Sequence, residues 1–195
     1  NSGQVIVMEP YSGRVIAMAN YPTYDPNNYG EVYKMKEVSY DPGRGVSMYV
    51  KNEKEEYLIA STKEKLDKNI KKYMYANKFG LGVYLNKNVA ELYEPGSVFK
   101  ALVMATALDA KEVTPQTSYF DKGTFEIDRF KVANASSGCI GQHNMINVIN
   151  YSCNVGMVWV VQRIGKSLLY DYLTNMGFGE RTDIELEGEQ KGQLQ

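Results

Sequence analysis

The sequence predicts an α+β domain, and three stretches carry that prediction. Val5–Glu9 and Arg14–Ala19 are strand-like runs joined by Pro10-Tyr11-Ser12-Gly13, which has turn chemistry. Val98–Leu108 is apolar almost all the way round, and a helix of that kind belongs at the centre of a domain. Val155–Ile164, gathered around Trp159 and stopped by Gly165, is a second apolar helix. A strand pair followed by helices, rather than a regular alternation of the two, is the α+β arrangement. The 195 residues suit one domain, and 44% hydrophobic against 23% charged residues leaves enough apolar mass for a core.

Taken in order, the hairpin is apolar on both faces: Val5, Val7, Val15 and Ala17 on one, Ile6, Met8, Ile16 and Met18 on the other. Strands buried on both faces need further strands beside them and layers above and below. Asp183-Ile184-Glu185-Leu186-Glu187 is a short candidate near the end of the chain, so the sheet reads as unfinished. Residues 21–49, rich in Tyr, Pro, Asn and Gly, read as loop. Ser61-Thr62-Lys63-Glu64 is a capping box that opens a helix expected to reach Phe79, with Leu66, Ile70, Tyr73 and Asn77 along one side. Its other side carries Lys63, Lys65, Lys68, Lys71 and Lys72 against Glu64 and Asp67. That face reads as solvated surface, with attraction of anionic glycan, lipid phosphate or a partner as the functional alternative. Val113-Thr114-Pro115 ends the central helix, Thr124–Val132 suggests a small strand pair, and Asn134–Gln142 reads as polar loop. Met145–Asn150 is a short helix leading into Ser152, and Ser167–Met176 is a last helix stopped by Gly177.

The bulk chemistry excludes several classes. A formal net charge of −1 gives no reason to expect a nucleic-acid partner. No run is long enough to span a membrane, and the start at Asn1-Ser2-Gly3 carries no signal peptide. Two cysteines, Cys139 and Cys153, are too few for a disulfide scaffold; they could pair, but Cys153 reads as a buried free thiol. Cys139 and His143 are spaced like half a metal site without a second ligand pair, so neither metal nor cofactor is expected. With a single His in the chain, a Ser-His-Asp triad is improbable, which favours lysine as the base for any reactive serine.

The chemistry-bearing stretch is Tyr93-Glu94-Pro95-Gly96-Ser97-Val98-Phe99-Lys100. Ser97 and Lys100 lie one turn apart on one helix face. Lys100 is the charged group of an apolar run, and desolvation there depresses a lysine pKa, leaving a neutral amine beside a hydroxyl. The bland alternative is a serine N-cap and a snorkelling lysine. Further on, Tyr151-Ser152-Cys153-Asn154 interrupts a helical stretch, and its alternative is again capping.

Ser-x-x-Lys followed by Ser-x-Asn is two thirds of the set used by penicillin-binding proteins and serine β-lactamases. The chain resembles the transpeptidase domain of class B penicillin-binding proteins. The likeness runs from the Val5–Asn20 hairpin through Tyr21-Pro22-Thr23-Tyr24-Asp25-Pro26-Asn27, Tyr93–Lys100, Val113-Thr114-Pro115 and Tyr151–Gly156 to Gly177-Phe178-Gly179. The resemblance implies the penicillin-binding-protein/serine β-lactamase-like transpeptidase fold. It also implies acyl transfer. Ser97 would attack the D-Ala–D-Ala bond of a peptidoglycan stem peptide and Lys100 would take its proton. Ser152 would relay a proton to the leaving amine, and Asn154 would bond Lys100 and the substrate amide. β-Lactam antibiotics would trap the ester. The whole protein would be anchored in the bacterial cytoplasmic membrane with its catalytic domain outside, working with a membrane-embedded glycan polymerase.

One departure from the family pattern stands out: no Lys-Thr-Gly or Lys-Ser-Gly follows Asn154. In the family that strand binds the substrate carboxylate, and its neighbourhood completes the oxyanion hole. The expectation is therefore the helix-rich part of a transpeptidase domain lacking its last strands: 1–29 hairpin and loop, 30–90 insertion with a basic helix, 91–195 helical region with both motifs. A serine β-lactamase is the rival within the fold, though no Glu-x-x-Leu-Asn stretch appears. A non-enzymatic β-lactam sensor or a cell-wall scaffold is the rival of another class.

Overall fold

In a computed structural model the described residues are 2–43, 46–127 and 129–194. Arg44 and Gly45, within the expected 21–49 loop, and Asp128, within the expected 124–132 strand pair, lie outside them, as do Asn1 and Gln195. The chain divides into two compact units, Asn1–Glu91 with Glu185–Gln190 and Leu92–Ile184 with Lys191–Gln195.

In the first unit the expected hairpin is present. Strands β1 (Gly3–Met8) and β2 (Val15–Tyr21) pair antiparallel, with Val5 opposite Ala19 and Val7 opposite Ala17. Among the described residues they take no third strand, and Val5, Ile6, Val7, Met8 and Ile16 remain exposed. The 183–187 stretch, a candidate partner in the sequence, forms no strand. A 3-10 helix occupies Pro26–Tyr33, followed by strand β3 (Met35–Val38), so the 21–49 segment is not simply loop. Asp25 caps that helix, its Oδ1 accepting the Asn27 N–H at 2.9 Å.

Strands β4 (Tyr49–Lys51) and β5 (Tyr57–Ile59) follow. The capping box then forms as expected, Ser61 and Glu64 bonding reciprocally, but helix α1 covers only Thr62–Leu66. Residues Lys72–Tyr75, expected to be helical, are strand β6, which lies inside the sheet in the order β3-β6-β4-β5. The reason is visible in the side chains. Asp67 turns back to accept the Asn69 N–H at 2.8 Å and ends the helix. Beyond it Met74 is fully buried, while Tyr73 and Tyr75 face Tyr57 and Tyr49 edge to face at 5.2 and 5.4 Å. Aromatic cross-strand pairing outweighs the helical spacing of Leu66, Ile70 and Tyr73. Met48, Val50 and Ala60 form the small core of this sheet, with Ile70 against it. Helix α2 (Lys87–Ala90) lies against the hairpin, Asn88 Nδ2 donating to the Ala19 carbonyl at 3.1 Å.

Four α-helices form the body of the described part of the second unit. A 3-10 turn, Gly96–Phe99, runs straight into α3 (Lys100–Asp109). Strands β7 (Ser118–Asp121), β8 (Thr124–Ile127) and β9 (Phe130–Ala133) follow, with β8 and β9 paired antiparallel where a strand pair was expected. The 134–142 segment holds a 3-10 turn at Ser137–Cys139 and enters strand β10 (Gly141–Asn144), which pairs with β7. Helices α4 (Met145–Asn150), α5 (Asn154–Ile164) and α6 (Lys166–Asn175) complete the unit, within a residue or so of their expected ends.

Helices α3 and α5 pack on one another around Val103, Met104, Ala107, Met157, Val160 and Ile164, with Met145 and Val148 from α4. The central helix is not buried all round: Val98 and Leu108 are exposed. Gly156 lets α5 approach β7, since a Cβ there would lie 2.8 Å from the Tyr119 hydroxyl and 2.9 Å from Val148.

Candidate active site

The turn that carries Ser97 is dictated locally. Gly96 sits at φ +59°, a conformation that favours glycine, and starts the 3-10 turn. Ser97 follows on the exposed surface, and its carbonyl accepts the Lys100 backbone N–H. Residues three apart eclipse one another in a 3-10 turn, so Ser97 and Lys100 share a face. Phe99 anchors the turn edge to face against Phe178 at 5.4 Å, which gives Gly177-Phe178-Gly179 a packing role.

Lys100 is half-buried, and its Nζ donates to three oxygens, all from residues 152–154. These are the Ser152 carbonyl at 2.8 Å, Ser152 Oγ at 3.0 Å and Asn154 Oδ1 at 2.6 Å. Burial holds the amine below the usual lysine range. Among the four candidates from the sequence, Ser152 and Asn154 thus converge on the Lys100 amine, while Ser97 stands one turn before it.

The 151–153 link explains how Ser152 reaches Lys100. The Ser152 N–H donates to the Ile149 carbonyl at 3.0 Å and the Cys153 N–H to the Val148 carbonyl at 2.9 Å. That is the paired closure of a Schellman helix end, whose left-handed position glycine usually fills. Ser152 occupies it at φ +54°, a strained conformation for a residue with a Cβ that costs about 1–2 kcal/mol.

Cys153 corrects the sequence expectation. It is not a free thiol but is bonded to Cys139, with an S–S distance of 2.10 Å and Cα atoms 5.6 Å apart. Fourteen residues separate the pair in sequence, but β10 and α4 reverse the chain and return the 3-10 turn at Cys139 to the start of α5. With Cys139 so committed, the Cys139/His143 spacing is no half-site. Among the described residues no group of three or more His, Cys, Asp or Glu side chains could hold a metal.

A second layer, not anticipated from the sequence, surrounds Asn154. Its Nδ2 donates to the Ala133 carbonyl at 2.8 Å, and the next residue, Asn134, accepts the Val155 N–H on Oδ1 at 3.0 Å. Asn134 Nδ2 in turn donates to the fully buried Asp121 at 2.9 Å. Asp121-Lys122-Gly123 is readable as a turn, with Asp121 Oδ1 accepting the Gly123 N–H at 2.6 Å. Its burial beside Asn134 is a tertiary fact with no local signal.

Comparison with known proteins bears on the same geometry. Residues 3–195 match the family described as "Penicillin binding protein transpeptidase domain". Stage V sporulation protein D of Bacillus subtilis is 29% identical over 190 residues, covering 97% of this chain and 22% of that protein. Peptidoglycan D,D-transpeptidase FtsI of Escherichia coli K12 is 23% identical, covering 98% of this chain and 24% of that protein. The chain thus spans about a quarter of the length of these relatives. Among solved structures, Pseudomonas aeruginosa PBP2 in complex with WCK 5153 superposes with a TM-score of 0.66 at 23% identity. It covers 99% of this chain and 36% of that one, a likeness of fold. No helix among the described residues is long and apolar enough to cross a membrane. With the family match spanning nearly all of its residues, this chain belongs to the penicillin-binding protein transpeptidase domain family.

Proposed function

We propose that this chain carries the acylating centre of a class B peptidoglycan D,D-transpeptidase. Ser97 is its nucleophile, Lys100 its general base, Ser152 its proton relay, and Asn154 the group that orients Lys100 and the substrate amide. The observation that carries the reading is the convergence of Ser152 and Asn154 on Lys100 Nζ across more than fifty residues of sequence. Helix capping alone explains neither contact, because neither side chain bonds its own helix there.

The steps follow from these groups. The Lys100 amine, its cationic form disfavoured by burial, accepts the Ser97 hydroxyl proton as Oγ bonds the carbonyl carbon of the penultimate D-alanine. The Ser97 N–H, near the start of the 3-10 turn, donates to the developing oxyanion. The proton passes from Lys100 through Ser152 Oγ, 3.0 Å away, to the departing D-alanine amine as the peptide C–N bond breaks. An amine of a neighbouring stem peptide then attacks the ester and releases Ser97, forming the cross-link. A β-lactam follows the same first step, its ring C–N bond breaking instead, and leaves a penicilloyl ester on Ser97. The disulfide at Cys153 fits an extracytoplasmic compartment, where such bonds persist. Membrane anchoring and cooperation with a glycan polymerase belong to the whole protein.

The test is a penicillin adduct mapped by digestion and mass spectrometry on the full-length protein. The expected site is Ser97. An adduct on Ser152, or none, overturns the assignment. A β-lactamase of the same fold would release the adduct quickly, so a long-lived ester is expected here.

A further inference from the structure

We propose that Asp121 and Asn134 are positioning residues that hold Asn154, and through it Lys100, in working geometry; this rests on the reading of Ser97 and Lys100 as nucleophile and base. The difficulty they resolve lies at the start of α5. A helix leaves its first N–H groups without intrahelical partners, and the residue before it commonly supplies a side-chain oxygen. Here that residue is Cys153, which makes no such bond and whose sulfur is tied to Cys139. Asn134 does the work from 21 residues away, accepting the Val155 N–H at 3.0 Å. The Ala133 carbonyl beside it takes Asn154 Nδ2 at 2.8 Å. Two consecutive residues at the end of β9 thus grip two consecutive residues of α5.

The grip has a defined orientation. The Val155 N–H can only donate, so Asn134 turns Oδ1 to it, and the Asp121 oxygen on the other side receives Nδ2. Asp121 Oδ1 also takes the Gly123 N–H at 2.6 Å, Oδ2 takes the Tyr119 hydroxyl, and the Asn134 N–H closes the ring on the Gly123 carbonyl at 3.2 Å. Burial, then the bond to Asp121 and its charge, push the Tyr119 hydroxyl well above its ordinary pKa, so it remains a donor. A fully buried carboxylate is costly unless so satisfied. The consequence reaches the proposed base directly. With Nδ2 of Asn154 occupied by Ala133, its Oδ1 is the atom left to face Lys100 Nζ at 2.6 Å. If the end of β9 shifts, Asn154 loses the bond that decides which way its amide points.

The test measures second-order penicillin acylation of the full-length protein across pH, together with Tm, after the wild-type adduct has been mapped. Asn134→Ala is expected to slow acylation about 10- to 100-fold. It should also move the midpoint of the pH profile downward, because the Lys100 ammonium loses a well-placed acceptor. Asp121→Asn keeps the shape but loses an acceptor oxygen, and should shift both quantities in the same direction by less. Val113→Ala, in the same core but outside the network, is the comparison: Tm falls and the midpoint stays. Asn134→Ser, whose short side chain cannot reach both Asp121 and Val155, gives the same readout should the alanine variant fail to fold. An unchanged midpoint in the Asn134 variants, with rates tracking Tm as in Val113→Ala, overturns the positioning role alone. A wild-type adduct away from Ser97 overturns the catalytic assignment and the positioning role with it.

Discussion

Lys100 and Lys71 are the same side chain in opposite circumstances. Lys100 is half-buried, meets three oxygens of residues 152–154, and is held by burial below the usual lysine range. Lys71, at the surface of the first unit's sheet, bonds Glu37 at 3.1 Å, and that partner pushes its pKa upward. Exposed pairs of the second kind are screened and contribute little. A desolvated amine between convergent acceptors is instead poised to exchange a proton. The difference between them is one of surroundings, and it is already foreshadowed locally: Lys100 interrupts an apolar run, whereas Lys71 sits among other charged residues.

The largest expected effect separates the two outright. Lys100→Ala should lower penicillin acylation by about 100- to 10,000-fold while the domain stays folded, and Lys100→Arg should fail equally because guanidinium is no base near neutral pH. For wild type, acylation should rise with pH to a plateau whose midpoint lies below the ordinary lysine value. The stability curve has a defined sign as well. Because the folded pKa of Lys100 is depressed, the unfolded chain binds the extra proton between the two pKa values. The destabilisation is full below the folded pKa and is relieved as pH rises toward the unfolded one. A midpoint at or above the free-lysine range would remove Lys100 from the role of base.

Next comes the disulfide, which pins the residue between Ser152 and Asn154. Replacing Cys139 and Cys153 by serine should cost about 2–4 kcal/mol in a urea titration, from the freed loop of the unfolded chain. No change in stability would mean that packing alone holds the 151–153 link. Smaller still is Ser152→Gly. Glycine suits φ +54°, so unfolding free energy should rise by about 1 kcal/mol while acylation falls with the lost hydroxyl. A variant that is both less stable and fully active would refute the account of Ser152. At the other extreme, Lys68→Glu with Lys71→Glu should leave acylation unchanged and move Tm by less than about 2 °C. Lys72 is excluded from that set, because its Nζ donates to the carbonyls of Asp67 at 2.5 Å and Ile70 at 3.2 Å.

Much of the fold was legible where local chemistry and tertiary packing agree. The hairpin followed from two apolar strand-like runs flanking turn residues, α4, α5 and α6 from apolar spacing with Gly165 and Gly177 as stops, and α1 began at its capping box. Where they disagree, the local signal misled. The spacing of Leu66, Ile70 and Tyr73 suited a helix, yet Tyr73 and Tyr75 gain more from aromatic partners across a sheet. Strands β7 and β10 escaped notice for a related reason, since short pairs far apart in sequence carry little pattern of their own.

By itself the sequence determined which residues could carry acyl-transfer chemistry: Ser97 and Lys100 one turn apart, and Ser152 with Asn154 across a single residue. The first is a local spacing that a helical turn converts directly into a shared face, whereas Ser152 reaches Lys100 from a left-handed turn and Asn154 from the first position of α5. Tertiary structure alone decided that the two pairs meet, that Cys153 finds Cys139, and that Asp121 and Asn134 stand behind Asn154. The physical reason is that hydrogen bonds and disulfides act over a few ångströms, whereas their partners here lie 13 to 54 residues apart. Only the packing of α3 against α5 and the return of β9 and β10 bring such groups within reach.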